Sequence, residues 1–245
     1  MIYAAATHIG RRLKNEDSLY IPEGPGGVPF VAVADGMGGH AAGYRASTLA
    51  VEGLMEALGG LKAPAGDAMP TLRSAVRAVN STIYRQAQTE EGCRGMGTTL
   101  TFALLYEEEY IAANIGDSRL YQFDGEKLTQ VTRDHSLVAV LVASGSITQE
   151  EAERHPQRNI ITRALGTSPH EDADYFTRQW RRGDLLLLCS DGLYGCVPHA
   201  VLERVLKQRM PLVQTAEAFI QLALDAGGTD NITVVLAQNT GGDAV

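Results

Sequence analysis

Phe30-Val31-Ala32-Val33-Ala34 runs straight into Asp35-Gly36-Met37-Gly38-Gly39. A short, partly β-branched apolar run closed by glycines reads as a buried strand, and this one ends in a carboxylate. The pattern recurs. Leu185-Leu186-Leu187-Leu188-Cys189 leads into Ser190-Asp191-Gly192, and Ile111-Ala112-Ala113-Asn114 into Ile115-Gly116-Asp117-Ser118. Asp230-Asn231 stands just before Ile232-Thr233-Val234-Val235-Leu236. Several strands therefore deliver acids to their tips. Carboxylates are costly to gather unless a cation sits among them, so the pattern predicts a metal site built from oxygen ligands.

The chain has 245 residues, 44% of them apolar, and a formal net charge of −8. That length suits one large domain or two small ones. The negative balance argues against a nucleic-acid binder, which needs a basic face. Three cysteines, Cys93, Cys189 and Cys196, form no CxxC pair, which suits a reducing compartment. No stretch approaches the roughly 20 apolar residues that span a bilayer, and Met1 to Ala6 is too short and not basic enough for a signal sequence. The expectation is a cytoplasmic protein with no membrane anchor.

Outward from Phe30, the first strands are expected at Ile2 to Thr7 and Ser18 to Ile21, with Pro22 to Pro29 as a loop. Leu49, Val51, Leu54, Met55 and Leu58 give helical spacing over Tyr44 to Leu58. Thr71 is expected to cap a second helix whose apolar face is Leu72, Val76, Val79, Ile83 and Ala87. After Gly95-Met96-Gly97 the period changes to that of strands. Thr98 to Leu105, Tyr110 to Asn114, Arg119 to Phe123 and Lys127 to Val131 read as an antiparallel meander, with Glu107-Glu108-Glu109 as a solvated hairpin tip. Two short helices follow, Ser136 to Gly145 and Thr148 to His155; Thr148 with Glu151 makes a capping-box pattern. Strands resume at Phe176 to Trp180 and Asp184 to Cys189. Helices at Val201 to Leu206 and Thr215 to Leu224 precede a last strand, Asn231 to Ala237. Strands with flanking helices predict sheets covered by helices.

At this point the residues match a family. The fragments are Asn15-Glu16-Asp17-Ser18, Asp35-Gly36-Met37-Gly38-Gly39-His40, Gly95-Met96-Gly97-Thr98-Thr99, Gly116-Asp117-Ser118-Arg119, Asp134-His135-Ser136, Arg163-Ala164-Leu165-Gly166, Ser190-Asp191-Gly192-Leu193 and Gly228-Thr229-Asp230-Asn231. In this order and spacing the chain resembles the metal-dependent protein phosphatases of type 2C, in their compact bacterial form. The resemblance implies an α+β fold: a four-layer αββα sandwich, two central antiparallel sheets flanked by helices. It also implies a single domain over residues 1–245, with a helical flap inserted at about 134–173. The implied activity is hydrolysis of phosphoserine and phosphothreonine proteins through a metal-bridging hydroxide, with two Mn²⁺ or Mg²⁺ ions. By resemblance Asp35 bridges the ions, Asp191 and Asp230 hold one, and the Gly36 carbonyl, Glu16 and Asp17 complete the other. Asp117 with Asp191 would hold a third, weaker ion, as in bacterial members. Arg12, three residues before Asn15, takes the family place of the phosphate-binding arginine. Gly10 is displaced by one residue from the family spacing, which leaves Arg11 as the alternative. His40 is the candidate general acid, with a metal-bound water as the other. His135 and His155 are expected to be structural. By family habit a cognate serine/threonine kinase is a partner, and a monomer is the default.

Other readings fare worse. Gly36-x-Gly38-x-x-Ala41 after a strand fits a dinucleotide fingerprint, but the acid that should tip a second strand is Glu56, inside a helical pattern. No cysteine is followed after five residues by the arginine a thiol phosphatase would use. A catalytically inactive phosphatase-fold regulatory protein remains the alternative; such a protein usually loses metal acids, and this chain keeps them.

Overall fold

The structure, a computed structural model, describes residues 1–23, 29–38, 42–61 and 65–241. Two antiparallel sheets form its centre. One contains, in spatial order, β1 (Ile2–His8), β11 (Ile232–Gln238), β10 (Leu185–Cys189), β7 (Arg119–Phe123) and β8 (Leu128–Gln130). The other contains β2 (Asp17–Tyr20), β3 (Phe30–Met37), β5 (Leu100–Leu105), β6 (Glu109–Ile115) and β9 (Asp174–Gln179), with the short β4 (Gly97–Thr98) beside β3.

The apolar runs are explained by burial on both faces. Along β3, Val31 and Val33 face the other sheet, where they meet Leu120, Leu186, Leu188 and Val235. Phe30, Ala32 and Ala34 face outward and pack under α1 (Ala42–Leu58) and α2 (Ala65–Thr89). On the other sheet, Leu185, Leu187, Ile232, Val234 and Leu236 face α5 (Asp191–Tyr194), α6 (His199–Leu206) and α7 (Leu212–Asp225). A strand covered on both sides loses the apolar–polar alternation usual for antiparallel sheets and becomes a continuous apolar run. The four layers are helix, sheet, sheet, helix, as expected.

Local differences have local causes. The second helix begins at Ala65, six residues before Thr71, and contains Pro70. Pro70 is the sixth residue of the helix, so the i→i−4 bond its missing N–H would make is lost; Ala68 is buried there and Met69 packs on the core, which holds the extra turn down against that loss. β3 runs on past Ala34 to Met37, because Gly36 pairs with Thr98 and Met37 with Gly97. The four-residue α5 has no apolar periodicity to announce it. Between β8 and β9 lie α3 (Leu137–Ala143) and α4 (Gln149–Glu153), the latter closed by the expected capping box of Thr148 and Glu151.

Candidate metal centre

The acids meet at one end of the sandwich, and both sheets contribute. Asp17, the first residue of β2, lies directly across from Asp35 on β3. Asp191 follows β10, Asp230 precedes β11, and Asp117 follows β6. Asp35 is fixed by its backbone: its N–H donates to Thr99 Oγ1 at 2.9 Å, and its carbonyl accepts from Thr99 N at 2.9 Å and Thr98 Oγ1 at 3.0 Å. The side chain stays free for another partner.

Glu16 is held by its backbone in the same way. Its N–H donates to Asn231 Oδ1 at 2.8 Å, and its carbonyl accepts from Gly36 N at 3.2 Å and Ser47 Oγ at 2.6 Å. The approach of β3 to α1 leaves no room for side chains. A Cβ on Gly36 would lie 2.1 Å from the Gly43 carbonyl oxygen, and a Cβ on Gly43 would lie 2.8 Å from both the Gly36 carbonyl oxygen and Glu16 Oε1. Two glycines thus let a main-chain oxygen and a carboxylate oxygen converge.

The carboxylates disturb one another. Burial, then Asp17, Asp191, Asp117 and Asp230 in turn, push the Asp35 carboxyl well up. Burial is the main cause at the others too, lifting Asp17 to about 7, Asp117 to about 7 and Asp191 to about 6. Asp35 and Asp191 keep some surface open to the cleft, while Asp17 and Asp117 are buried.

Some charge finds a donor. Ser190 Oγ donates to Asp17 Oδ2 at 2.8 Å, and Arg12 Nη2 to Asp230 Oδ2 at 2.7 Å. These bonds draw the acids toward separate partners, and among the described residues no three His, Cys, Asp or Glu side chains form a ready-made metal cage. The stronger observation is what lacks a donor. Glu16 Oε1, Asp17 Oδ1 and Asp117 Oδ1 are buried and have no hydrogen-bond partner among the described residues. An unpartnered buried polar atom costs about 1–3 kcal/mol, more when charged. Three such oxygens among mutually repelling carboxylates, beside a converging main-chain carbonyl, fit hard divalent cations, which take oxygen ligands. They offer nothing to a soft metal.

Of Arg11 and Arg12, it is Arg12 whose side chain bonds an acid of the site. Gly10 turns the chain with φ +60°, a Cβ there would strike the Asp230 carbonyl at 2.0 Å, and Arg11 N–H donates to Gly228 O at 2.8 Å. His40, like Ala41 of the dinucleotide pattern, lies outside the described residues. Glu56 sits within α1 and at no strand tip, which removes the dinucleotide reading. Burial pushes the Cys189 thiol up to about 12 and also raises Cys196, so neither is an activated nucleophile.

Asn231, Ser190 and Thr99, to which the sequence alone assigns no role, hold the site's acids in place. Asn231 Nδ2 donates to the carbonyls of Ile9 and Lys14, both at 2.9 Å, while its Oδ1 receives Glu16 N–H. Ser190 Oγ also accepts from Thr233 N–H at 3.0 Å. Asn231 and Ser190 stood beside quoted aspartates, and that adjacency was the available signal.

A family model described as Protein phosphatase 2C matches residues 5–226 of the chain. The chain is 42% identical over 229 residues to a protein of Listeria monocytogenes named serine/threonine phosphatase stp, covering 93% of this chain and 91% of the relative. Its fold matches the crystal structure of the Mycobacterium tuberculosis serine/threonine phosphatase PstP/Ppp with TM-score 0.88 and 44% identity, covering 97% of each chain. It also matches, with TM-score 0.85 and 41% identity over 97% of each chain, the catalytic domain of serine threonine protein phosphatase PstP in complex with two manganese ions.

Proposed function

The chain belongs to the protein phosphatase 2C family, and from that premise we propose that the acids at the sandwich end are the metal centre of a serine/threonine phosphoprotein phosphatase. The observation that carries the reading is the trio of buried carboxylate oxygens without donors among the described residues, Glu16 Oε1, Asp17 Oδ1 and Asp117 Oδ1. Asp35, Asp191, Asp230 and the Gly36 carbonyl would hold two divalent ions, with Glu16 and Asp17 completing the set. Asp117 with Asp191 would hold a third. Mn²⁺ and Mg²⁺ both suit these oxygens. When bound, such ions lower the pKa of a coordinated water and offset charge on the phosphoryl oxygens.

The chain's own groups do the rest. Arg12 lies at the mouth, its side chain 56% exposed, so it can meet a phosphate without leaving its turn. A guanidinium pairs with two phosphoryl oxygens at once. Asp230, its present partner, is thereby released from the ion pair toward the other acids. Thr98 and Thr99 hold Asp35 by its backbone, which fixes the direction of its carboxylate. His40 is the candidate donor of the proton that the leaving serine or threonine oxygen needs. Residues of about 134–173 act as a flap within one domain. Phosphoproteins are the substrates, and a serine/threonine kinase acting on the same proteins is the expected partner. No helix of the described residues is long and apolar enough to cross a membrane. We take the enzyme to be cytoplasmic and monomeric.

Hydrolysis of p-nitrophenyl phosphate with Mn²⁺ tests the assignment. Turnover that EDTA abolishes, and that Asp35→Asn reduces by at least about a hundredfold, is expected. An Asp35→Asn protein that folds, binds Mn²⁺ and works at the parent's rate would sink the assignment of Asp35. A folded parent with no turnover would favour a regulatory binding role.

A further inference from the structure

His135, expected to be a structural histidine, joins two parts of the molecule that matter to the site. It lies between β8 and α3 and is buried, with 8% exposure. Its backbone N–H donates to the Gly116 carbonyl at 2.9 Å, and its Nδ1 accepts from the Gly116 N–H at 3.1 Å. A backbone N–H only donates, so Nδ1 carries no proton and the ring hydrogen is on Nε2. Nε2 therefore donates to Asp174 Oδ2, 3.2 Å away, at the start of β9. Arg163 Nη1 approaches the same nitrogen at 3.0 Å, but two donors cannot bond each other; its hydrogen goes to Asp174 Oδ1 at 2.9 Å. The His135 carbonyl accepts from Thr162 N–H at 2.8 Å.

The grip on Gly116 bears on the next residue, Asp117. Gly116 has φ +102°, and a Cβ there would lie 2.5 Å from Thr99, so the turn is pressed onto its base. Asn114 Nδ2 also holds the Gly116 carbonyl at 3.1 Å, and the Tyr194 hydroxyl holds the Asp117 carbonyl at 2.9 Å. The bonds to Gly116 and to the Asp117 carbonyl fix the backbone of the turn, while Asp117 Oδ1 is buried with no hydrogen-bond partner among the described residues.

We propose that His135 is a positioning residue: by holding the Gly116 N–H it aims the Asp117 carboxylate at the metal centre, and by holding Asp174 it ties that aim to the segment carrying Arg163. The inference rests on the reading of the carboxylate cluster as a metal site. Any buried imidazole needs partners for its nitrogens; what is particular to His135 is which partners it has. It joins Gly116 to a carboxylate that fixes its ring, the arrangement by which outlying residues orient metal ligands.

Mn²⁺ binding to the metal-stripped protein, measured by calorimetry, tests it on three variants. His135→Phe fills the space without hydrogen bonds, and the weakest Mn²⁺-binding step is expected to lose affinity about tenfold, the scale of losing an outer-shell partner. His135→Asn restores an acceptor near Nδ1 and is expected to recover to within about threefold of the parent. Asp174→Ala frees the ring while changing a half-exposed position, and is expected to weaken the same step about threefold. The Mn²⁺ needed for half-maximal rate should follow these affinities, with KM for p-nitrophenyl phosphate unchanged at saturating Mn²⁺. Parent-like Mn²⁺ binding by His135→Phe, or equal weakening by Phe and Asn, would overturn the inference. If His135→Phe does not fold, parent-like binding by Asp174→Ala overturns it instead. A parent that binds no Mn²⁺ would bring down the metal reading and this inference together; the variant outcomes bear on this inference alone.

Discussion

Asp117 is a carboxyl in the wrong solvent. Burial first, then Asp191 and Asp134, raise it to about 7, against about 4 in an unfolded chain. Between those values the folded protein binds more protons at this group than the unfolded chain does. Its contribution to stability is therefore whole below about pH 4 and is lost as pH rises through about 7. Asp117→Asn removes the charge while keeping the shape. In metal-free protein the variant's thermal midpoint is expected to exceed the parent's by several degrees at pH 8, with a much smaller gap at pH 5. Equal gaps at both pH values in calorimetric scans would show that Asp117 is not a strained charge. The same substitution is expected to weaken Mn²⁺ binding.

At the scale of elements, what decides stability is which face a side chain takes. Leu188 on β10 is fully buried between the sheets, whereas Val140 on α3 is 56% exposed. Leu188→Ala is expected to cost about 2–5 kcal/mol and Val140→Ala under about 0.5 kcal/mol in chemical denaturation. Both estimates fail if the two costs come out alike. Faces also explain what the sequence could tell. The strands were legible because helices cover both sheets, turning β3, β10 and β11 into unbroken apolar runs. Asp35, Asp117 and Asp191 were legible because each closes an apolar run beside a glycine, and Asp230 because it stands just before one. Thr71 looked like a cap because the earlier turn of α2 is held by packing at Ala68 and Met69, which local spacing does not display. The role of His135 depends on Gly116 and Asp174, 19 and 39 residues away, and no periodicity links them.

For the whole molecule, the acid cluster draws side chains from both sheets, so a cation bound among them would stabilise the assembled sandwich and not the open chain. At Mn²⁺ a hundredfold above its dissociation constant, about 2.7 kcal/mol of stabilisation is expected. For a chain of this size that is a rise of roughly 5–10 °C in thermal midpoint, reversed by EDTA. The rise should be larger at pH 8 than at pH 6, because protons compete for Asp17, Asp117 and Asp191, which lie at about 7, 7 and 6. An unchanged midpoint with Mn²⁺ at either pH would mean the acids do not act as one site.

The pairing of β1 with β11 sets a condition on synthesis. Residues 2–8 find their neighbour only when residues 232–238 have left the ribosome, and β10 meets the same strand. Asp230 reaches its place by the same insertion, and Asn231 then clasps the loop from Ile9 to Glu16. A nascent chain that has already made Asp17, Asp35, Asp117 and Asp191 still lacks the strand that brings its beginning to the site. Until β11 is in place, the acids made earlier lack both Asp230 and the clasp that Asn231 puts on Glu16.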